Sequence, residues 1–331
     1  MEKKIKYDKY DAGACFLATI IWPSVVGFVY MILATIIAKF CGKNYDDIYA
    51  NSVFIFFSLF ISPIAFSSLF FFYNKKTNVN WVKTLNVKSK LSVFNVILCV
   101  IIAIICTFGF TDIVNLFNKL LQTTGFKLND ELPIKIDNFG VFVLMLFTLA
   151  LLPAMFEELL FRGIIFNGLK DYGKMHAVFG SSILFCLMHL NVEQTIYPFI
   201  VGVILGFVML KTSNIWYPIL IHFFNNLIVI TSNYISSVNN IDQAAVSLSA
   251  KSVIYALIFC VTAAIWIYVI IKLLLKKQKK DSYMQAKSDI IINDEKKVSM
   301  VQYKNVNLFL WIGVFVSVFV WLIDLISGFS A

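Results

Sequence analysis

FGVFVLMLFTLALLPAMFEELLFRGIIFNG, residues 139–168, is apolar almost throughout, yet it carries two adjacent carboxylates and an arginine at Glu157, Glu158 and Arg162. Bilayer hydrocarbon is about 30 Å thick, so a crossing helix needs roughly 20 mainly apolar residues. This stretch is long enough, and its charged groups would then lie inside the membrane. Working outward, further apolar runs occur near 13–38, 52–73, 91–110, 176–190, 196–210, 215–232, 252–274 and 307–327. The pattern predicts an all-α polytopic transmembrane helix bundle of eight to nine spans. The runs at 176–190 and 196–210 are short for independent spans and read as helices enclosed by the bundle, where such segments wall cavities. Alternating amphipathic strands of about ten residues are absent, which excludes a transmembrane β-barrel.

Composition agrees. Hydrophobic residues make up 60% of the chain and charged residues 14%, the reverse of a soluble domain's balance. The net charge of +9 could point to nucleic acid, but the lysines lie between apolar runs, where they set orientation instead. Alternate connections hold 22 of the 28 basic residues. That asymmetry places the N-terminus on the cytoplasmic side of a multi-pass protein of the cytoplasmic membrane, with the C-terminus outside. Residues 1–12, MEKKIKYDKYDA, are too polar and the first run too long for a cleaved signal peptide, so the first helix is expected to be retained. The six cysteines show no CxxC or secreted-disulfide spacing and read as packing residues.

Three regions follow: N-terminal transmembrane helices over 1–138, a polar-containing helical core over 139–232, and C-terminal transmembrane helices with a basic cytoplasmic loop over 233–331. Residues 111–138 and 233–251 read as outer loops. The stretch KKQKKDSYMQAKSDIIINDEKKVSMVQYKN, from Lys276, reads as a flexible loop touching anionic lipid.

An ionisable group inside a span costs several kcal/mol unless paired or hydrated, so each one is a functional hypothesis. Glu158 and Arg162 are i,i+4 neighbours suited to an ion pair. Arg162 is the only arginine in the chain, which suggests that the guanidinium fork itself is needed. Glu157 is turned away from it, leaving one carboxylate free to face a cavity as a general base. Taken alone, this motif reads equally well as an ordinary juxtamembrane ion pair. Pro153, one turn earlier, should kink the helix and free a carbonyl.

In GSSILFCLMHLN, His189 follows Phe185 by four residues and ends an apolar helix. Taken alone, it reads as a core histidine. In IHFFNN, His222 and Asn226 share a helix face, and Asn225 points about 100° away, towards a neighbouring helix. His176 sits at a membrane edge beside Lys174 and Asp324 near an outer helix end, both read as solvated. At 1.5 Å per helical residue, Glu157 lies about 20 Å from Lys170, His189 about 22 Å from Lys174, and His222 and Asn226 about 16 and 22 Å from Lys211. The four converge on one depth near mid-membrane.

Together the three clusters resemble the CAAX prenyl protease and bacteriocin-processing (CPBP) family of intramembrane peptidases, also called the CAAX amino-terminal protease or Abi family. Its pattern is E-E-x-x-x-R, then F-x-x-x-H, then H-x-x-x-N. It is met in order by Glu157, Glu158 and Arg162, by Phe185 and His189, and by His222 and Asn226. The likeness spans about residues 145–230. It implies an endopeptidase cutting a membrane-bound, in some members lipidated, peptide or protein. Glu157, His189, His222 and Asn226 would be catalytic, with Glu158, Arg162 and Phe185 in support. Glu157 would activate water, with imidazole and amide donors stabilising the oxyanion. Glu157, His189 and His222 are also a set that could hold Zn²⁺, as the family's common description as metalloproteases implies, although HExxH is absent and the same groups could activate water unaided.

The expected partners are such a substrate and the lipid bilayer, with no nucleic acid. Two other readings remain from sequence: a non-proteolytic scaffold for bacteriocin self-immunity or signalling, and a transporter with an intramembrane Glu/His relay.

Overall fold

The computed structural model describes residues 6–42, 52–128, 135–239, 249–293 and 307–330, and among them every regular element is a helix. Besides a single turn at Trp81–Thr84, these are in chain order α1 (Lys9–Phe40), α2 (Ser52–Ser58), α3 (Ile61–Thr77), α4 (Val93–Thr123), α5 (Phe139–Tyr172), α6 (Lys174–Met188), α7 (Ile196–Thr212), α8 (Trp216–Asn239), α9 (Ala250–Asn293) and α10 (Leu308–Ser330). Seven stretches are long and apolar enough to cross a membrane, with α2 and α3 together forming one of them. The remaining apolar helices, α6 and α7, are the two shorter ones expected from their length. The protein is an integral membrane protein.

Helices are what such a sequence can form there, because hydrocarbon offers no partner for a backbone N–H or C=O and a helix satisfies both internally. The starts are capped by side chains. Asp8 forms a capping box with Asp11 at α1, and Ser92 and Asn138 accept from the backbone N–H three residues on, at α4 and α5. Large apolar side chains such as Phe28, Phe108, Trp266 and Phe315 are exposed on the outer faces, which is the stable arrangement where lipid is the solvent.

Two expectations are corrected. The helix expected to end near 110 runs on to Thr123, taking up half of the anticipated outer loop, since VNLFNKLLQT contains no Gly or Pro to stop it. The basic segment after residue 274, expected to be a loop, is helical to Asn293, being rich in Lys with no Gly or Pro to break it. Residues 294–306, the rest of that connection, lie outside the described residues, as do 240–248 of the expected 233–251 outer loop, whose first part, 233–239, instead continues α8.

The bundle is organised by pairings between distant parts of the chain. Helix α1 packs on α3, α5 and α10, α8 packs on α4 and α5, α6 packs on α7, and α9 packs on α4. Lys6 Nζ lies 2.6 Å from Asp171 Oδ1, and the Lys9 N–H donates to Asp171 Oδ2 at 3.1 Å, which fixes the beginning of α1 to the end of α5. The Tyr7 hydroxyl, buried, donates to Asn74 on α3. The α6–α7 contact is close because it is lined by small residues: a Cβ on Gly202 would meet Ser182 Cβ at 3.1 Å. In lipid such packing replaces the missing hydrophobic drive between helices. The space left between α5, α6, α7 and α8 holds the polar residues.

Candidate functional site

Helix α5 is not regular. Leu146–Leu151 and Leu159–Ile165 are π-helical turns, on either side of the α-helical Leu152–Glu158 that ends in the carboxylate pair. A π turn inserts a residue and leaves carbonyls without their usual donors, and in both cases an asparagine side chain supplies the donor. Pro153 has no N–H for Leu149 O. Asn226 Nδ2, from α8, donates to that carbonyl at 3.1 Å. In the second turn Asn167 Nδ2 donates to Arg162 O at 3.1 Å and to Gly163 O at 2.7 Å. The carbonyl expected to be freed by Pro153 therefore exists, and its partner is one of the motif residues.

Between these turns lies a buried ionic centre. Glu158 and Arg162 are both fully buried, and Arg162 Nη1 donates to Glu158 Oε1 at 2.8 Å. Arg162 Nη2 donates to Gly202 O on α7 at 3.1 Å, and its Cζ lies 4.6 Å from the centroid of the Phe185 ring on α6. One guanidinium thus joins three helices through its fork and its flat face, which a lysine could not do. The same Glu158 Oε1 lies 2.9 Å from His222 Nδ1 on α8. This second bond was not legible from spacing. It makes Glu158 the orienting partner of a histidine as well as the counter-ion of an arginine.

Phe185 fills the middle. Its ring meets His189 edge-on at 5.2 Å and His222 at 5.9 Å between centroids, so it spaces the two imidazoles. His189 Nδ1 lies 2.9 Å from Phe185 O. A carbonyl only accepts, so that nitrogen carries the hydrogen and His189 Nε2 presents a lone pair. The same reasoning holds for His222 against the Glu158 carboxylate. Glu157 is half-buried, and among the described residues nothing hydrogen-bonds its carboxylate. Glu158, His222 and Arg162 are its charged neighbours. Of two adjacent carboxylates, one is engaged twice over and the other accepts no hydrogen bond among the described residues.

The surroundings add groups that sequence reading undervalued. Asn225 is buried and accepts from Thr107 Oγ1 on α4 at 3.1 Å and from the Tyr197 hydroxyl on α7, which bears out its assignment to a neighbouring helix. Asp324, read as solvated, is half-buried on α10. Its Oδ2 accepts from the Val192 N–H at 2.9 Å, and Trp321 Nε1 donates to Thr195 Oγ1 at 2.9 Å. Both contacts fall on the short connection that follows His189, where Leu190 adopts a positive φ of 54°. The signal for Asp324 was present, a lone carboxylate in an apolar helix, but its partner is a backbone group more than a hundred residues away. His176 is exposed, as expected.

A metal centre needs its donors gathered around one point. Among the described residues no three His, Cys, Asp or Glu side chains are gathered closely enough to hold an ion. Of the expected trio, His222 has Glu158, not Glu157, at its Nδ1.

The family model described as type II CAAX prenyl endopeptidase Rce1-like matches residues 139–228. That segment contains all seven motif residues and stops short of α10. No curated protein and no solved structure matches the chain.

Proposed function

From the Rce1-like match over residues 139–228, we propose that the chain is a CAAX-type membrane protease that hydrolyses a peptide bond of a membrane-associated, lipidated or embedded substrate with water activated by Glu157. The observation that carries this reading is the contrast between the two carboxylates. Glu158 Oε1 is engaged by both Arg162 and His222, whereas Glu157 lies beside them with no hydrogen-bonded partner among the described residues.

The chemistry is a proton transfer coupled to addition. Glu157 takes a proton from water as the water oxygen attacks the carbonyl carbon, and the C=O electron pair becomes the oxyanion. Collapse of the tetrahedral species breaks the C–N bond, and the proton on Glu157 passes to the departing amine. The donors to the oxyanion differ from those the motifs alone suggested. With Nδ1 protonated, a neutral imidazole presents an acceptor at Nε2, so it holds water but cannot stabilise an oxyanion. His189, whose Nδ1 faces a carbonyl, suits that water-holding role. His222, whose Nδ1–H donates to Glu158 Oε1, presents the same acceptor at Nε2 and joins His189 in holding the water. Asn226 has a second amide hydrogen beyond the one given to Leu149 O. That hydrogen supplies the donor to the oxyanion, and no step requires a metal.

The test is a comparison of membranes expressing the wild type, Glu157→Gln or His222→Ala, searched by mass spectrometry for a cleaved peptide. A product formed by the wild type and lost in both variants is expected, and it should persist in purified protein after treatment with a chelator. Identical peptide sets in all three membranes would overturn the peptidase reading. Loss on chelation with recovery on adding Zn²⁺ would overturn the metal-free step.

A further inference from the structure

A second built feature lies away from this site, on the lipid-facing side of α7. A crevice of about 680 Å³ opens between α7 and α9, with walls completed by α4 and α6. Along α7 its lining runs from Phe199 through Val203 and Phe207 to Lys211, and along α9 from Cys260 through Ala264 and Tyr268 to Lys272. The two stripes have the four-residue spacing of one helix face, and both end in a lysine. Each covers twelve residue steps, roughly 18 Å at 1.5 Å per residue. One leaflet of a bilayer has about 15 Å of hydrocarbon. The crevice therefore has the depth of a single leaflet, an apolar length and a cationic end.

The charge at that end is uncompensated by the lining. No Asp or Glu is among the lining residues, and Lys272 Nζ rests over the Tyr268 ring, 4.5 Å from its centroid. The aromatic ring holds this ammonium in place without neutralising it. Both lysines are exposed, so their charge faces the membrane surface, where an anion can approach.

We propose that this crevice is a binding site for one anionic phospholipid, with its phosphate between Lys211 and Lys272 and an acyl chain laid along Phe207, Val203 and Phe199 against Ala264. The depth selects a molecule anchored in one leaflet, and the paired cations select its head group. A free phosphate would leave the apolar length empty, and a neutral lipid would leave the lysines unpaired.

The full-length protein, purified in detergent, is titrated with dioleoyl phosphatidylglycerol, with dioleoyl phosphatidylcholine and with glycerol 3-phosphate, and the adducts are counted by native mass spectrometry. Each lysine facing an anionic lipid contributes roughly fivefold, so wild type should prefer phosphatidylglycerol by about thirtyfold, with one lipid per chain and no adduct of glycerol 3-phosphate. Lys211→Gln with Lys272→Gln should bring phosphatidylglycerol down to the level of phosphatidylcholine. Ala264→Phe, which fills the crevice but keeps both lysines, should weaken both lipids. Because the two lysines are exposed, their replacement tests binding without testing folding. Equal retention of the two lipids by wild type, an unchanged preference in the double variant, or a lipid-free dimer cross-linked through Tyr268 would each overturn the proposal. So would binding of glycerol 3-phosphate as tight as that of the lipid.

Discussion

Glu158→Gln and Glu157→Gln change the same group at adjacent positions, and their expected effects are opposite in kind. In Glu158→Gln the amide oxygen can still accept from Arg162 and His222, but the guanidinium, fully buried, loses its counter-charge. Removing one partner of a buried ion pair costs about 3–5 kcal/mol. Since the two bonds at 2.8 and 2.9 Å survive in weaker, neutral form, the lower end applies, about 3 kcal/mol. At a shift of roughly 2–4 °C per kcal/mol, the unfolding midpoint should fall by about 6–12 °C. Glu157→Gln removes no protein hydrogen bond and takes a charge out of a half-buried position, so its midpoint should stay level or rise slightly. The assay can use the protein's own thiols. Cys15, Cys99, Cys106 and Cys186 are buried and free, and a thiol-reactive fluorophore reports their exposure on heating. Product formation is followed in the same preparations and should vanish in Glu157→Gln at full stability. An unchanged midpoint for Glu158→Gln, or an equal loss of stability in both variants, would refute the division between a structural and a chemical carboxylate.

Asn226→Ala should leave Leu149 O without its donor, destabilising by about 1–3 kcal/mol and lowering the midpoint in the same thiol assay; Asn226→Asp, which has no N–H to give, should do the same when ionised. Asp324→Ala should release the connection after His189, raising hydrogen exchange of the 190–195 amides by about tenfold or more and lowering product formation, whereas unchanged exchange would separate α10 from the site. Burial pushes the Tyr7 phenol well above its ordinary value. Its neutral form is thereby favoured in the folded state, so the stability it contributes is complete below about pH 10 and falls as pH rises beyond that. Tyr7→Phe should flatten that alkaline loss in a pH series of unfolding midpoints.

Six of the seven motif residues were legible because each is a polar exception within an apolar helix, and exceptions of that kind must find partners; Phe185 was legible only through the resemblance. Their partners were not legible. A helical projection at 100° per residue assumes a regular helix, and α5 departs from one at Leu146–Leu151 and again at Leu159–Ile165, so the face that meets α8 is set by the inserted residues and not by spacing. Asn226 was read as facing a substrate, yet it also supports the helix bearing the carboxylates. Asp324 was legible as an anomaly and misread as solvated, because sequence contains no measure of how α10 lies against the turn after His189.

Adjacency of the two glutamates is itself the economical solution to the site's electrostatics. A buried arginine is needed to tie α5, α6 and α7 together, and it must have a counter-ion; a general base must remain unsatisfied until water arrives. A single carboxylate cannot meet both demands, since the bonds that stabilise the ion pair would hold it as a weak base. Two carboxylates one turn apart would share a face and both be drawn to Arg162. Neighbours in sequence diverge by about 100° on the helix, which lets Glu158 turn into the ionic centre with Arg162 and His222 while Glu157 faces away from it, near enough to feel its charge and free of its bonds. Exchange of function between them is therefore not expected. A chain with Glu157→Gln cannot recruit Glu158 without breaking the pair that holds three helices in place, and restoring activity by a second-site change should require a new acceptor for Arg162 first.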